Sequence, residues 1–361
     1  EIFNHNLRIG VSNINGYFIH SSLLTHNQSG LVLPYFDFKL VHLPIFLIYF
    51  STLGYFVTTL FEKKIKSNQV FFLLLCIFIL LIKFNRLSEY GYDYISQFIL
   101  LIVFYKIYFL NSENSEIVKA ILFFILAVLI KPISLLFLPI MFFIIYKKGF
   151  LFYKFVPRSR YFLIFSLLII LFSSSFFKTG CIFYPVNKTC FSVENVSWSK
   201  KNHLISYSEI VSLWAKGYWV QDNSQYEKID DKKKFSQKFN WLKFWIEKHF
   251  FYKISEFLLI VTGLIILIYF YFTRDKLAFD IQNKQKFLIF LLSFFSIFFW
   301  LNTVPQFRFG FSSIIIFVYI FFDLIFNLNV NFDKKKFFHF LFLGLLILNI
   351  KNINRIHSEF E

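Results

Sequence analysis

Ten apolar runs, at 40–61, 69–84, 94–110, 117–130, 133–146, 161–177, 254–272, 287–301, 311–328 and 337–350, divide this chain of 361 residues, and only one polar stretch between them, 178–250, is long. Apolar runs in such close succession must be buried in a core or in lipid. Charged residues make up 16% of the chain, hydrophobic residues 57%, and the mean hydropathy is +0.60, too little polar surface to coat a soluble body of this length. Inside lipid, backbone polar groups must be satisfied within the segment, which selects helices. The fold class expected is therefore an all-α polytopic membrane protein with about ten transmembrane or partly spanning helices and one large periplasmic loop carrying interfacial helices. Several runs hold 14 to 18 residues, short of the ~20 that cross the hydrocarbon core, and flanking Tyr, Asn and Lys extend them by snorkelling.

Basic residues set the orientation. If the connectors alternate sides, one side receives fifteen Lys and Arg, from Lys63 to Lys336, while the short connectors of the other receive only Arg86, Lys131 and Arg308. The positive-inside rule places the first set in the cytoplasm and 178–250 outside. The expected organisation is an outer N-terminal segment at 1–39, membrane helices at 40–177, the periplasmic loop at 178–250 and membrane helices at 251–361. Residues 1–39 begin without a span of their own, so a first span upstream of Glu1 is expected.

The net charge of +17 does not indicate nucleic acid as a partner, because the cations sit in short clusters between apolar runs rather than on one face. The abundance of Phe, 58 residues, follows from an AT-rich, bacterial codon usage and does not mark an aromatic ligand site.

Chemistry-bearing residues collect on the outer side. Lys131-Pro132 separates two runs of 14 residues, each reaching only ~21 Å, so Lys131 is expected below the surface, where an ammonium seeks a counter-charge such as a lipid phosphate; snorkelling from a Pro-terminated helix is the alternative. Arg308, in NTVPQFRFG, is the one charge between two apolar spans. It suits bidentate phosphate recognition or a simple anchor. Arg86, Glu89 and Asp93 share a compact outer loop. Asp37 and Asp93 border apolar spans, where a carboxylate can be tuned as a base, and structural Arg–carboxylate pairing is the ordinary alternative. All six Trp, including Trp198, Trp214 and Trp219, fall on or beside the outer face, as an interfacial belt or as a surface for stacking sugar rings. Phe235, Phe239, Leu242, Trp245 and Ile246 recur at helical spacing and predict an amphipathic interfacial helix. Cys181 and Cys190 can close a disulfide loop in an oxidising compartment. Lys106 and Asp323, near the cytoplasmic ends of their runs, are expected to snorkel or to pair with each other. No metal-ligand spacing, P-loop, dinucleotide fingerprint or GxSxG elbow is present. No cofactor is expected, a divalent cation being the one addition left open.

Lys131-Pro132, TGCIFYP with the Trp198 region, PQFRFG, and GLVLPYFDF followed by an apolar run together resemble the GT-C superfamily of integral-membrane glycosyltransferases, over most of the chain. The resemblance implies an enzyme of the bacterial inner membrane with its active face periplasmic. It would move a sugar from a polyprenyl-phosphate carrier to a glycan or lipid acceptor. It also implies that Arg308, Lys131 and Arg86 bind phosphate, that Trp198, Trp214 and Trp219 hold sugar or acceptor, and that Asp37, Asp93 or Glu89 supplies the base. In this superfamily the catalytic carboxylate lies in the first outer loop; the matching stretch here, VSNINGYFIHSS, carries Asn13 and Asn15 and no acid. A polysaccharide polymerase or ligase, and a transporter or flippase, are the other readings.

Overall fold

The computed structural model describes residues 43–62, 65–84, 87–110, 114–147, 158–183, 186–199, 201–272, 284–326, 328 and 333–360. Among these residues the architecture is all-α, with no strand and one isolated bridge at the Cys181–Cys190 disulfide. The first helices are α1 (Leu43–Leu60), α2 (Ser67–Lys83), α3 (Leu87–Phe109) and α4 (Asn114–Ile130). A 3-10 turn, Pro132–Phe137, then leads into α5 (Leu138–Lys147), followed by α6 (Arg158–Thr179) and α7 (Lys201–Lys216). α8 (Leu242–Phe272), α9 (Lys284–Thr303), α10 (Phe307–Phe326) and α11 (Lys334–Phe360) complete the order.

Each apolar run overlaps a helix, yet among the described residues fewer than ten helices are long and apolar enough to cross a membrane. α8, α9 and α10 qualify, whereas Ile45–Leu60, Ser67–Lys83, Pro132–Tyr146 and Tyr161–Phe177 are apolar but shorter.

Burial divides the helices into an inner and an outer set. α2 is buried continuously from Gln69 to Leu80, and α10 from Phe309 to Ile316. On α9 only Ile289, Ser293, Ser296 and Trp300 are buried, one stripe at helical spacing. The rest of α9 shows Phe287, Phe294, Phe295, Phe298 and Phe299 outward, and α8 likewise shows Leu259 and Phe270. A water-facing surface rarely carries so many exposed phenylalanines on one helix; hydrocarbon accepts them without cost. The buried stripe of α9 is built partly from serine, which lets helices approach and bond across the gap: Ser296 Oγ donates to Leu136 O at 2.9 Å.

One helix is not as the spacing predicts. The stretch around Phe235–Ile246 is a turn of helix, Lys232–Ser236, capped by Asp231, then a break at Lys238 and Phe239, whose φ values are 48° and 60°. Helix resumes at Leu242, and Ile246–Ile254 is wound as a π-helix inside α8. Phe235 and Trp245 are buried on either side of that break while Phe239 is exposed; Phe235 packs on Tyr218 and Phe244 and Trp245 on Trp300, so the apolar residues turn to different neighbours instead of forming one interfacial face.

Candidate functional site

Pro132 ends α4 because it has no N–H to continue the ladder. Lys131 N makes the last helical bond, to Ala127 O at 2.9 Å, and Lys131 turns extended at φ −145°, ψ 111°. Ser134 fastens the turn from the other side, its N–H donating to Lys131 O at 3.0 Å and its hydroxyl to Ala127 O at 3.2 Å. With Ser296 pinning Leu136, the turn is held inside the bundle and the Lys131 side chain is only 3% exposed.

There it meets Asp93 of α3 and Arg308 of α10. Lys131 Nζ lies 2.6 Å from Asp93 Oδ1, and Arg308 Nε lies 2.9 Å from Asp93 Oδ2. Both contacts are ion pairs by distance, and each Asp93 oxygen faces one of the two cations. Burial lowers the Lys131 pKa below the ordinary 10.5, an effect that the Asp93 charge opposes and the Arg308 charge reinforces. Two cations thus converge on one buried carboxylate. Phe309 lies beneath both cations, its ring centroid 5.4 Å from Lys131 Nζ and 5.0 Å from Arg308 Cζ. Trp214 of α7 covers Arg308 at 5.5 Å, a distance at which ring faces attract a guanidinium.

Uncharged residues fix the backbone on either side of Arg308. Between α9 and α10 the chain breaks at Val304–Gln306, and two indoles satisfy consecutive carbonyls of the break: Trp245 Nε1 donates to Pro305 O at 2.7 Å and Trp300 Nε1 to Gln306 O at 2.9 Å. A Cβ on Gly310 would fall 2.6 Å from the Trp300 ring, so only glycine leaves room for it. One turn along from the ion pair, Gln97 Oε1 accepts from Ser312 N at 3.1 Å and Ser312 Oγ at 2.6 Å. Asp93–Arg308 and Gln97–Ser312 are thus two rungs, four residues apart on both helices. Lys83, at the end of α2, adds a third fastening; its ammonium lies 4.8 to 5.8 Å from the rings of Tyr94, Phe257, Phe307 and Phe311.

Of the residues singled out in the sequence, Lys131, Asp93, Arg308 and Trp214 come together. Asp37 and Arg86 lie outside the described residues, as does the side chain of Glu89. Trp198 is exposed and donates to Phe176 O at 3.2 Å, and Trp219 is exposed against Tyr218; no described contact brings either to the trio. Cys181 and Cys190 form a disulfide beside Thr179 and Ser175. Among the described residues no three His, Cys, Asp or Glu side chains gather as metal ligands. Sequence reasoning missed Gln97, Ser312 and the positioning use of Trp245, Trp300 and Gly310. The i, i+4 match of 93/97 with 308/312 was the available signal, and it carries meaning only once the two helices are known to touch.

The opposite helix ends hold a second polar cluster. Lys106 and Asp323 do not pair with each other: Lys106 bonds Glu116 at 2.5 Å, and Asp323 takes Lys286 at 3.1 Å with the Tyr108 hydroxyl at 3.3 Å and Leu328 N at 3.1 Å. Each carboxylate is saturated locally, which makes these contacts clasps between helices.

Among known proteins, the family model of a domain of unknown function (DUF8201) matches residues 7–315. No curated protein matches the chain, and no solved structure does.

Proposed function

We propose that this chain, which belongs to the DUF8201 family, is a glycosyltransferase of the bacterial inner membrane, whose Lys131–Asp93–Arg308 site faces the periplasm and takes the phosphate of a polyprenyl-phosphate-linked sugar. The observation that carries the reading is the convergence of Lys131 and Arg308 on one buried carboxylate beneath the Trp214 ring. Transfer breaks the bond from the anomeric carbon to phosphate oxygen and forms one to the acceptor oxygen. Positive charge develops on the sugar ring and negative charge on the departing phosphate. Lys131 and Arg308 supply fixed cations for the second of these. Trp214 offers a ring face to the sugar beside that phosphate. The acceptor, a cell-envelope glycan or lipid, gives its proton to a carboxylate. Asp93 has both oxygens on cations, which leaves Asp37 and Glu89 as the candidates among those weighed. Ten crossings, with 178–250 outside, belong to this reading.

The test is transfer from a labelled polyprenyl-phosphate sugar by the purified protein in nanodiscs. Arg308→Ala and Lys131→Ala are expected to abolish transfer while insertion into membranes is retained. Full activity in either variant removes that residue from the site, and full activity in both sinks the reading.

A further inference from the structure

We infer that Lys216, Trp241 and Phe239 form a site for the phosphate headgroup of a membrane lipid, the Lys216 ammonium meeting the phosphate and the Phe239 ring the acyl chains. The site does not include the Lys131–Asp93–Arg308 trio and does not depend on sugar transfer.

Lys216 ends α7 with only 9% of its surface exposed. Among the described residues no carboxylate pairs with it and no carbonyl takes a hydrogen bond from it; its ammonium lies 5.3 Å from the centre of the Trp241 ring. The end of a helix favours a cation, but an exposed lysine would gain as much, so the helix does not account for the burial. A ring face returns only part of the hydration that burial removes from an ammonium. Burial lowers the Lys216 pKa below 10.5, and no carboxylate opposes it. An anion from outside the chain completes such a group.

A second observation lies on another neighbour of Trp241. The Phe239 ring centroid is 5.9 Å from the Trp241 ring, yet Phe239 is 45% exposed. Lys238 and Phe239 hold left-handed backbone, φ 48° and 60°, which residues with a Cβ avoid. Asn240 Nδ2 donates to Lys234 O at 2.7 Å and fixes the turn. Phe235, four residues earlier, is wholly buried. Strain that turns the next phenylalanine outward serves a contact other than this chain's core. Lys233, Lys234 and Lys238 are exposed beside it, the charge that an anionic lipid surface attracts.

Position gives the class of the ligand. Trp245, one turn on from Trp241, packs on Trp300 and donates to Pro305 O, which ties the segment to the end of α9. Phe298 and Phe299 face outward there, so the apolar outer surface of α9 runs up to the segment. Where apolar helix faces end, hydrocarbon gives way to phosphate headgroups, and indoles gather at that boundary.

The test uses the delipidated full chain in detergent, with dioleoyl phosphatidate as probe and dioleoylglycerol, the same lipid without phosphate, as control. Bound lipid is counted by native mass spectrometry. The wild type is expected to hold phosphatidate at least about tenfold more tightly than dioleoylglycerol, the worth of one charge-assisted hydrogen bond. Lys216→Met should erase that difference and Lys216→Arg restore most of it, while Phe239→Ser should weaken both lipids alike. Phosphatidate should also raise the melting temperature of the wild type by more than dioleoylglycerol does, a surplus that K216M lacks. A lysine that only supports the fold predicts otherwise: K216M then fails to fold or melts below the delipidated wild type, and the inference falls. It falls too if K216M binds phosphatidate as the wild type does, or if the wild type does not distinguish the two lipids. Inorganic phosphate bound as tightly as phosphatidate, with F239S silent, assigns the site to a soluble anion and overturns the lipid assignment. Loss of the phosphatidate adduct in R308A, with K216M keeping it, assigns the lipid phosphate to the trio; that outcome overturns this site and leaves the phosphate-site reading standing.

Discussion

Gly310 is defined by the ring beside it. Its missing Cβ is the space that the Trp300 indole occupies at 2.6 Å, and that indole holds Gln306 O two residues from Arg308. Gly310→Ala forces the ring away and breaks the bond; a loss of about 1–3 kcal/mol is expected from the overpacking. A melting curve in detergent checks the stability, and transfer should fall more than the melting shift alone accounts for. Lys131 gives a pH signature of two opposed trends. Burial lowers its pKa below 10.5, so as pH rises toward 10.5 the folded protein releases this proton before the unfolded chain does. In that window the unfolded state binds more protons, and the Lys131 contribution to stability rises with pH. On the proposed reading phosphate binding needs the ammonium and should fall over the same range. Titrations of melting temperature and of farnesyl phosphate affinity should therefore diverge, and parallel curves would remove Lys131 from the binding site. At this scale the sequence was informative where charge is scarce. Lys131, Arg308 and Asp93 stand out because few ionisable groups border the apolar runs. Gly310 and Gln97 do not stand out, since an uncharged residue shows its purpose only through the neighbour it touches.

Helix ends, more than helix middles, shape the site. α4 stops at Pro132, α9 stops before Pro305, and Arg308 is the second residue of α10, with its aim set by the two indoles on Pro305 and Gln306. Trp245→Phe keeps most of the ring but leaves the buried Pro305 carbonyl without its donor, at a cost of about 1–3 kcal/mol. Because the break would loosen around Arg308, the KM for a phosphate-bearing donor is expected to rise more than kcat falls. A change confined to kcat would separate Trp245 from Arg308. The helices themselves were legible, since apolar runs and prolines mark them plainly. The stretch 235–246 was not, because helical periodicity in a short polar loop is also met by residues that turn inward on both sides of a break. Lys238 and Phe239 adopt left-handed backbone there, for which their side chains give no warning. The pairing of Lys106 and Asp323 failed for a related reason. Periodicity gives their depth, but Glu116 and Lys286 lie closer to them in space.

As a whole the molecule is apolar outside as well as inside, with α8 and α9 turning phenylalanine and leucine outward around the buried α2 and α10. That arrangement ties the site to a lipid setting: Lys131 and Asp93 are buried among helices whose outer faces suit hydrocarbon. Sidedness then decides which substrates can reach the trio. The three natural cysteines leave no reactive background for measuring it, because Cys76 is buried and Cys181 is joined to Cys190. Asp222 lies in the loop with its side chain 71% exposed, and Lys335 is exposed at the start of α11. In intact bacterial cells permeabilised only at the outer membrane, an impermeant maleimide should label Asp222→Cys, while Lys335→Cys should react only after lysis. The reverse pattern would place the trio on the cytoplasmic side, where soluble nucleotide-linked donors are the available phosphate-bearing sugars, and the lipid-linked reading would give way.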